Sequence, residues 1–303
     1  MAASPMLARP AMRDLPHLVA AIFGTAHAIR ADKLDIIVNA VAARIYEGQG
    51  MPATVVAPLR ESIKFGTKAF ARGGYYLGAG TGVAVLPILG TLVRRGSWLA
   101  SESGLASYDR LTDAFAEIAM SDAVRGIMLE MDTPGGEANG CFDFADFIRK
   151  ASEATGKPVW AHVNEVAASA GYAIASAAAQ IWVPTTGEVG SIGVLAAHVD
   201  QSGADKKAGL DWTYIFAGEE KVDGNSHEPL SDSALSVLQA DIDMLYGMFV
   251  DLVSRNRAMT PKAVLATKAR MFRGKNAVAA GLADHIGTLD EALAALCAEV
   301  ATR

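Results

Sequence analysis

Ile127-Met-Leu-Glu-Met-Asp-Thr-Pro-Gly-Gly136 decides the fold: a short apolar run ends in a turn carrying two glycines. A helical pattern, Phe142 to Ala151, opens a few residues later. A buried strand that feeds a helix through such a turn is one unit of an α/β domain. Paired glycines let the backbone turn sharply and aim N–H groups at a ligand. The same residues also suit an ordinary strand-to-helix connection, so their chemistry depends on what else the chain supplies.

Outward from this stretch the pattern repeats. Val83 to Val93 reads as a buried strand or strand pair, and Tyr108, Leu111, Phe115 and Ile118 form one helical face. Val159 to Val163 is a further strand, and an Ala-rich helix follows Ser169. Strands are expected near Ile181 to Val183, Ile192 to Val199 and Trp212 to Ala217. Leu235, Leu238, Ile242, Leu245, Phe249 and Leu252 mark a long amphipathic helix. Thr260-Pro261 opens the next helix, and Thr288-Leu-Asp-Glu291 is a capping box for the last. The chain thus divides into a helical N-terminal region over 1–50, a flexible glycine-bearing linker over 51–82 and an α/β domain over 83–303. No internal repeat is visible.

Composition narrows the function. The chain has 303 residues, 51% hydrophobic and 20% charged, with a net charge of −6, which gives no electrostatic reason to expect nucleic acid. Its two cysteines, Cys141 and Cys297, lie far apart and suit a reducing cytoplasm. Thr81 to Val93 is too short to span a bilayer, and Val166 to Gly187 is mostly Ala, Ser and Gly, so no membrane anchor is expected. No His, Cys, Asp or Glu cluster has metal-site spacing, and neither metal nor cofactor is expected.

Two residues can carry chemistry together. Ser169, in Val166-Ala-Ala-Ser-Ala-Gly-Tyr172, stands at a helix start among small residues that would admit a substrate. There it serves either as a helix cap or as a nucleophile beside the Ala170 N–H, which could hold an oxyanion. A serine attacks only if a base takes its proton. Lys221 in Gly218-Glu-Glu-Lys is the candidate base, although a solvated lysine beside two acids reads just as naturally. A Ser-His-Asp triad would draw on His198, while His162 reads as a packed residue, His227 as a polar-loop residue and Cys141 as core.

These motifs, taken in order, resemble the signal-peptide peptidase A family of Ser-Lys proteases, relatives of the ClpP and crotonase superfold. The likeness covers Val83 to Leu296: Asp132-Thr-Pro-Gly-Gly136, Ala167-Ala-Ser-Ala-Gly-Tyr172, Gly190-Ser-Ile-Gly-Val194, Gly218-Glu-Glu-Lys221, and Arg270-Met-Phe-Arg-Gly-Lys275 with Gly281-Leu-Ala-Asp-His-Ile-Gly287. The resemblance implies a ClpP/crotonase-like core of strand-strand-helix units behind a helical N-terminal extension. It also implies Ser169 as nucleophile and Lys221 as base, 52 residues apart, with the N–H groups of Gly136 and Ala170 in an oxyanion hole and Ser191 orienting the lysine. Ala170 departs from the glycine usual after the serine in housekeeping members.

Gly90 to Leu99 and Ser103 to Tyr108 look like the phage capsid-assembly (prohead) proteases within that family. That subgroup implies capsid, scaffold or portal proteins as substrates, a ring-shaped homo-oligomer, and a place in the host cytoplasm or inside the prohead. Three other readings stay open: a soluble housekeeping homologue, a crotonase-like acyl-CoA enzyme, and a non-enzymatic capsid scaffold.

Overall fold

The computed structural model describes residues 26–30, 34, 67–70, 74–78, 80–95 and 105–303. Its elements run β1 (His27–Ile29), β2 (Thr67–Phe70), β3 (Tyr75–Gly78), β4 (Val83–Leu89), β5 (Thr91–Val93), β6 (Leu105–Ser107) and helix α1 (Tyr108–Met120). Then come β7 (Gly126–Thr133), β8 (Gly135–Glu137), α2 (Cys141–Thr155), β9 (Val159–Ala168), α3 (Ala170–Ser176), β10 (Gln180–Val183) and β11 (Glu188–Gly190). Helices α4 (Ser202–Ala208), α5 (Asp232–Arg257) and α6 (Pro261–Leu265), strand β12 (Met271–Arg273), α7 (Lys275–Ala279), β13 (His285–Ile286) and α8 (Leu289–Ala301) complete the chain.

The main sheet orders β12-β11-β9-β7-β4-β3-β2, and off this path β10 pairs with both β9 and β13. Its centre, β4-β7-β9, is parallel, which requires helical crossovers and buries both faces. Alternation divides the side chains between two cores. Ala84, Leu86, Ile127 and Leu129 meet Leu111, Phe115, Phe144 and Ile148 of α1 and α2 on one face. Val83, Val85, Met128 and Trp160 meet Ala292, Leu293, Leu296 and Val300 of α8 on the other. Pro87 is tolerated in β4 because the pairing with β3 stops at Val85. The capping box at Thr288 is present in full. This is the mixed α/β, ClpP/crotonase-like architecture that the resemblance implies.

A second, four-stranded sheet has the order β1-β8-β5-β6, its strands β5 and β8 following β4 and β7 in the chain. The described residues depart from the sequence reading in three places. Residues 1–50 were expected to be helical, and most lie outside the described residues, but His27–Ile29 is a strand. Its hydrogen bonds go to β8, far along the chain, and local helical periodicity cannot register such a partner. Within the expected linker over 51–82, β2 and β3 pair antiparallel. Likewise 192–199 and 212–217 are not strands; Leu195 makes only an isolated bridge, to His27.

Side by side on β7 and β9, Glu130 and His162 are buried polar residues. Asn164 donates to Glu130 Oε1 at 2.6 Å, whereas Oε2 has no partner. Burial therefore pushes the Glu130 carboxyl above its ordinary value. His162 Nε2 lies 3.2 Å from the Gly287 carbonyl, an acceptor only, so that nitrogen carries the proton, and burial lowers the ring's pKa. A raised carboxyl pKa means that the folded state holds its proton more tightly than the unfolded chain. Stability should thus fall as pH climbs from the ordinary carboxylate range through the folded value. Glu130→Gln removes that titration, so its stability advantage over wild type should grow from pH 4 to pH 8. Urea midpoints at both pH values check this; parallel profiles would refute it.

Candidate active site

Ser169 sits where β9 ends and α3 begins, fully buried, with φ 55° and ψ −117°. A non-glycine residue there carries strain of order 1–3 kcal/mol, so the surroundings must hold it in place. They do so through its N–H, which donates to the Gly190 carbonyl at 2.8 Å, and through its own carbonyl, which accepts from Ala173 at 2.9 Å. The side chain makes no cap hydrogen bond to α3. Instead its O–H donates to the Gly193 carbonyl at 3.2 Å. The helix-cap reading of this serine therefore has no hydrogen bond behind it.

The glycine turn lies directly beside it. A Cβ built on Gly135, whose φ is +97°, would stand 3.0 Å from Ser169 Cβ and 2.9 Å from the Ala168 carbonyl oxygen. At Gly136 a Cβ would meet the Leu92 carbonyl oxygen at 1.8 Å, because β5 runs against β8 there. Only glycine allows this close packing of three backbones. Gly135 thus borders the serine from β8, and Ala170 follows it as the first residue of α3. The Ala170 N–H has no acceptor among the described residues. Cys141, buried with its thiol toward the Ala170 carbonyl at 3.4 Å, is pushed up to about 12 and is no nucleophile at neutral pH.

Among the described residues no hydrogen bond joins Lys221 to Ser169. The lysine is exposed, in a turn where its N–H donates to the Gly218 carbonyl, and it makes no side-chain hydrogen bond or ion pair among the described residues. Ser191, at φ 54°, is held through its N–H by the Arg270 carbonyl at 3.0 Å, on the backbone that leads from β11 to Gly193. His198 Nε2 is 2.9 Å from the Asn225 carbonyl, and His227 Nδ1 pairs with Asp205 at 2.7 Å while stacking on Trp212. Among the described residues Ser169 forms no hydrogen bond to a histidine. Among the described residues no group of three His, Cys, Asp or Glu could hold a metal, and no helix is long and apolar enough to cross a membrane.

Sequence reasoning singled out Gly190 to Val194 for its serine and missed what Gly193 and Leu195 do. The Gly193 carbonyl accepts from the Ser169 hydroxyl, and Leu195 exchanges two backbone hydrogen bonds with His27. Both roles are performed by main-chain atoms, which side-chain identity does not report. The glycine at 193 was the only available signal: a Cβ there would come within 3.0 Å of Ala269.

The sequence pattern of peptidase family S49 matches residues 151–303. The head-tail preconnector protein GP5 of Enterobacteria phage P21 is 33% identical over 94% of this chain and 57% of its own length. The capsid assembly protease C of Escherichia phage lambda is 40% identical over 70% of this chain and 48% of its own length. A putative signal peptide peptidase SppA of Enterococcus faecium is 30% identical over 59% of this chain and 52% of its own length. The chain spans about half the length of the curated relatives it matches.

Proposed function

The chain belongs to peptidase family S49, and from that premise we propose that it is a serine endopeptidase of phage head maturation, cleaving capsid, scaffold or portal proteins. The observation that carries this reading is Ser169 itself: a strained, uncapped serine beside the Gly135 turn and at the head of α3, where the N–H groups of Gly136 and Ala170 are our oxyanion donors. Ser169 Oγ attacks a peptide carbonyl and gives its proton to a neutral Lys221 amine. The two N–H groups hold the tetrahedral oxyanion, and the lysine returns the proton to the leaving amine. Water then hydrolyses the acyl-enzyme. Ser191 orients the lysine. The similarity to a phage capsid assembly protease supports the choice of substrates.

Lys221 comes from a neighbouring copy of the chain in a ring-shaped homo-oligomer. The exposed apolar side chains around it support this: Trp212, Ile215 (97% exposed) and Phe216, with Leu235, Leu238 and Met244 along α5. A soluble protein rarely leaves so many large apolar groups in water unless another surface covers them.

Co-expression with the capsid, scaffold and portal proteins of the same phage genome tests the substrate assignment. Wild type should yield shortened products that Ser169→Ala does not. Identical products from both would leave a non-catalytic scaffold role.

A further inference from the structure

Strand β1 lies in the place a substrate would take. Its register against β8 is antiparallel, pairing His27 with Glu137, Ala28 with Gly136 and Ile29 with Gly135. The Ala138 N–H donates to the Ala26 carbonyl at 3.1 Å, and the Arg30 N–H donates to the Pro134 carbonyl at 3.1 Å. In an antiparallel ladder the hydrogen-bonded pairs recur every second residue, so Ala28 and Gly136, midway between, are such a pair. The Gly136 N–H therefore faces the Ala28 carbonyl. On its other edge β1 is bound as well: His27 N–H donates to the Leu195 carbonyl at 2.8 Å, and Leu195 N–H returns to His27 at 2.9 Å. An extended segment held on both edges by main-chain hydrogen bonds is how peptides dock by strand addition.

The Ala28 carbonyl also approaches the nucleophile. The Cβ that Gly135 lacks would lie 2.2 Å from the Ala28 carbonyl oxygen and 3.0 Å from Ser169 Cβ, so both border the same side-chain-sized space. Ala28 is fully covered, which leaves no room for a larger side chain at that position.

We propose that residues 26–30 are a built-in substrate and that Ser169 cleaves the chain's own Ala28–Ile29 bond. The proposal rests on the serine-protease reading of Ser169. The Ser169 hydroxyl proton passes to the base, and Oγ bonds to the Ala28 carbonyl carbon while Gly136 N–H holds its oxygen. The Ala28–Ile29 C–N bond breaks, and the base protonates the Ile29 nitrogen. Water then releases Ala28 as a carboxylate, and the freed groove can accept another chain.

Intact mass and N-terminal sequencing of the full-length, assembled protein test this, alongside fluorophosphonate labelling. Wild type should yield a species beginning at Ile29, and Ser169→Ala should remain uncut. Ala28→Trp, too large for the covered position, should slow cleavage about 100-fold, while Ala28→Ser should restore it. A wild type that labels at Ser169 yet keeps its Ala28–Ile29 bond would overturn self-cleavage and leave the protease reading standing. A chain that neither labels nor cuts would overturn both. Cutting that persists in Ser169→Ala would assign the event to another protease and overturn the proposal.

Discussion

Ser169→Ala is expected to lower peptide hydrolysis by about 10⁴-fold or more and to abolish fluorophosphonate labelling, with little change in stability. The combination matters more than either half. Removing the oxygen of a helix cap would leave an orphan N–H at the head of α3. No such bond exists, because the side chain instead donates to the Gly193 carbonyl. Losing that bond costs on the order of 1 kcal/mol, and alanine inherits the same positive φ, so the strain is unchanged. Thermal midpoints should therefore stay close while turnover collapses. A crotonase-like acyl-CoA enzyme would behave differently, because its chemistry needs no serine nucleophile and would not be labelled. Wild type that fails to label, or Ser169→Ala that keeps its turnover, would remove the serine from the mechanism.

The sequence made the central α/β units legible because their signals are local and redundant. Val83 to Leu89, Gly126 to Thr133 and Val159 to Ala168 are apolar strands, and each leads toward a helix with its own cap or periodicity. The glycine pair was legible for a related reason: three backbones meet there, and a Cβ at Gly136 would strike the Leu92 carbonyl. What escaped was long-range backbone pairing. Nothing in Ala26-His-Ala-Ile-Arg30 distinguishes a strand from one turn of helix, because its partners are 138, 136, 134 and 195. The long helix shows the converse limit. Its period was read over Leu235 to Leu252, yet the residues that join the main core are Phe249, Val250, Leu252 and Val253 of the far half, with Ala234 the one buried residue at the near end. Leu235 and Leu238 keep the apolar spacing but stand exposed among the described residues, so spacing alone did not tell which half of the helix is buried.

Lys221→Ala should cost about 10²–10⁴-fold in turnover, the usual range for removing a general base, without loosening the fold. The side chain is exposed and bonded to nothing among the described residues, so its loss leaves no buried partner unsatisfied. The diagnostic result comes from mixing. Ser169→Ala supplies intact lysines and Lys221→Ala supplies intact serines, and each assembly alone should be nearly inert. If each site takes its serine from one copy and its lysine from the next, as a heterologous ring permits, random one-to-one assemblies would rebuild about one site in four. Activity near a quarter of wild type would then appear only after subunit exchange. Within a single chain no mixture can rebuild a site, since every copy lacks one member. Verified mixed assemblies that remain inert would place both residues in the same subunit, and the exposed loop around Lys221 would then have to fold inward on substrate binding.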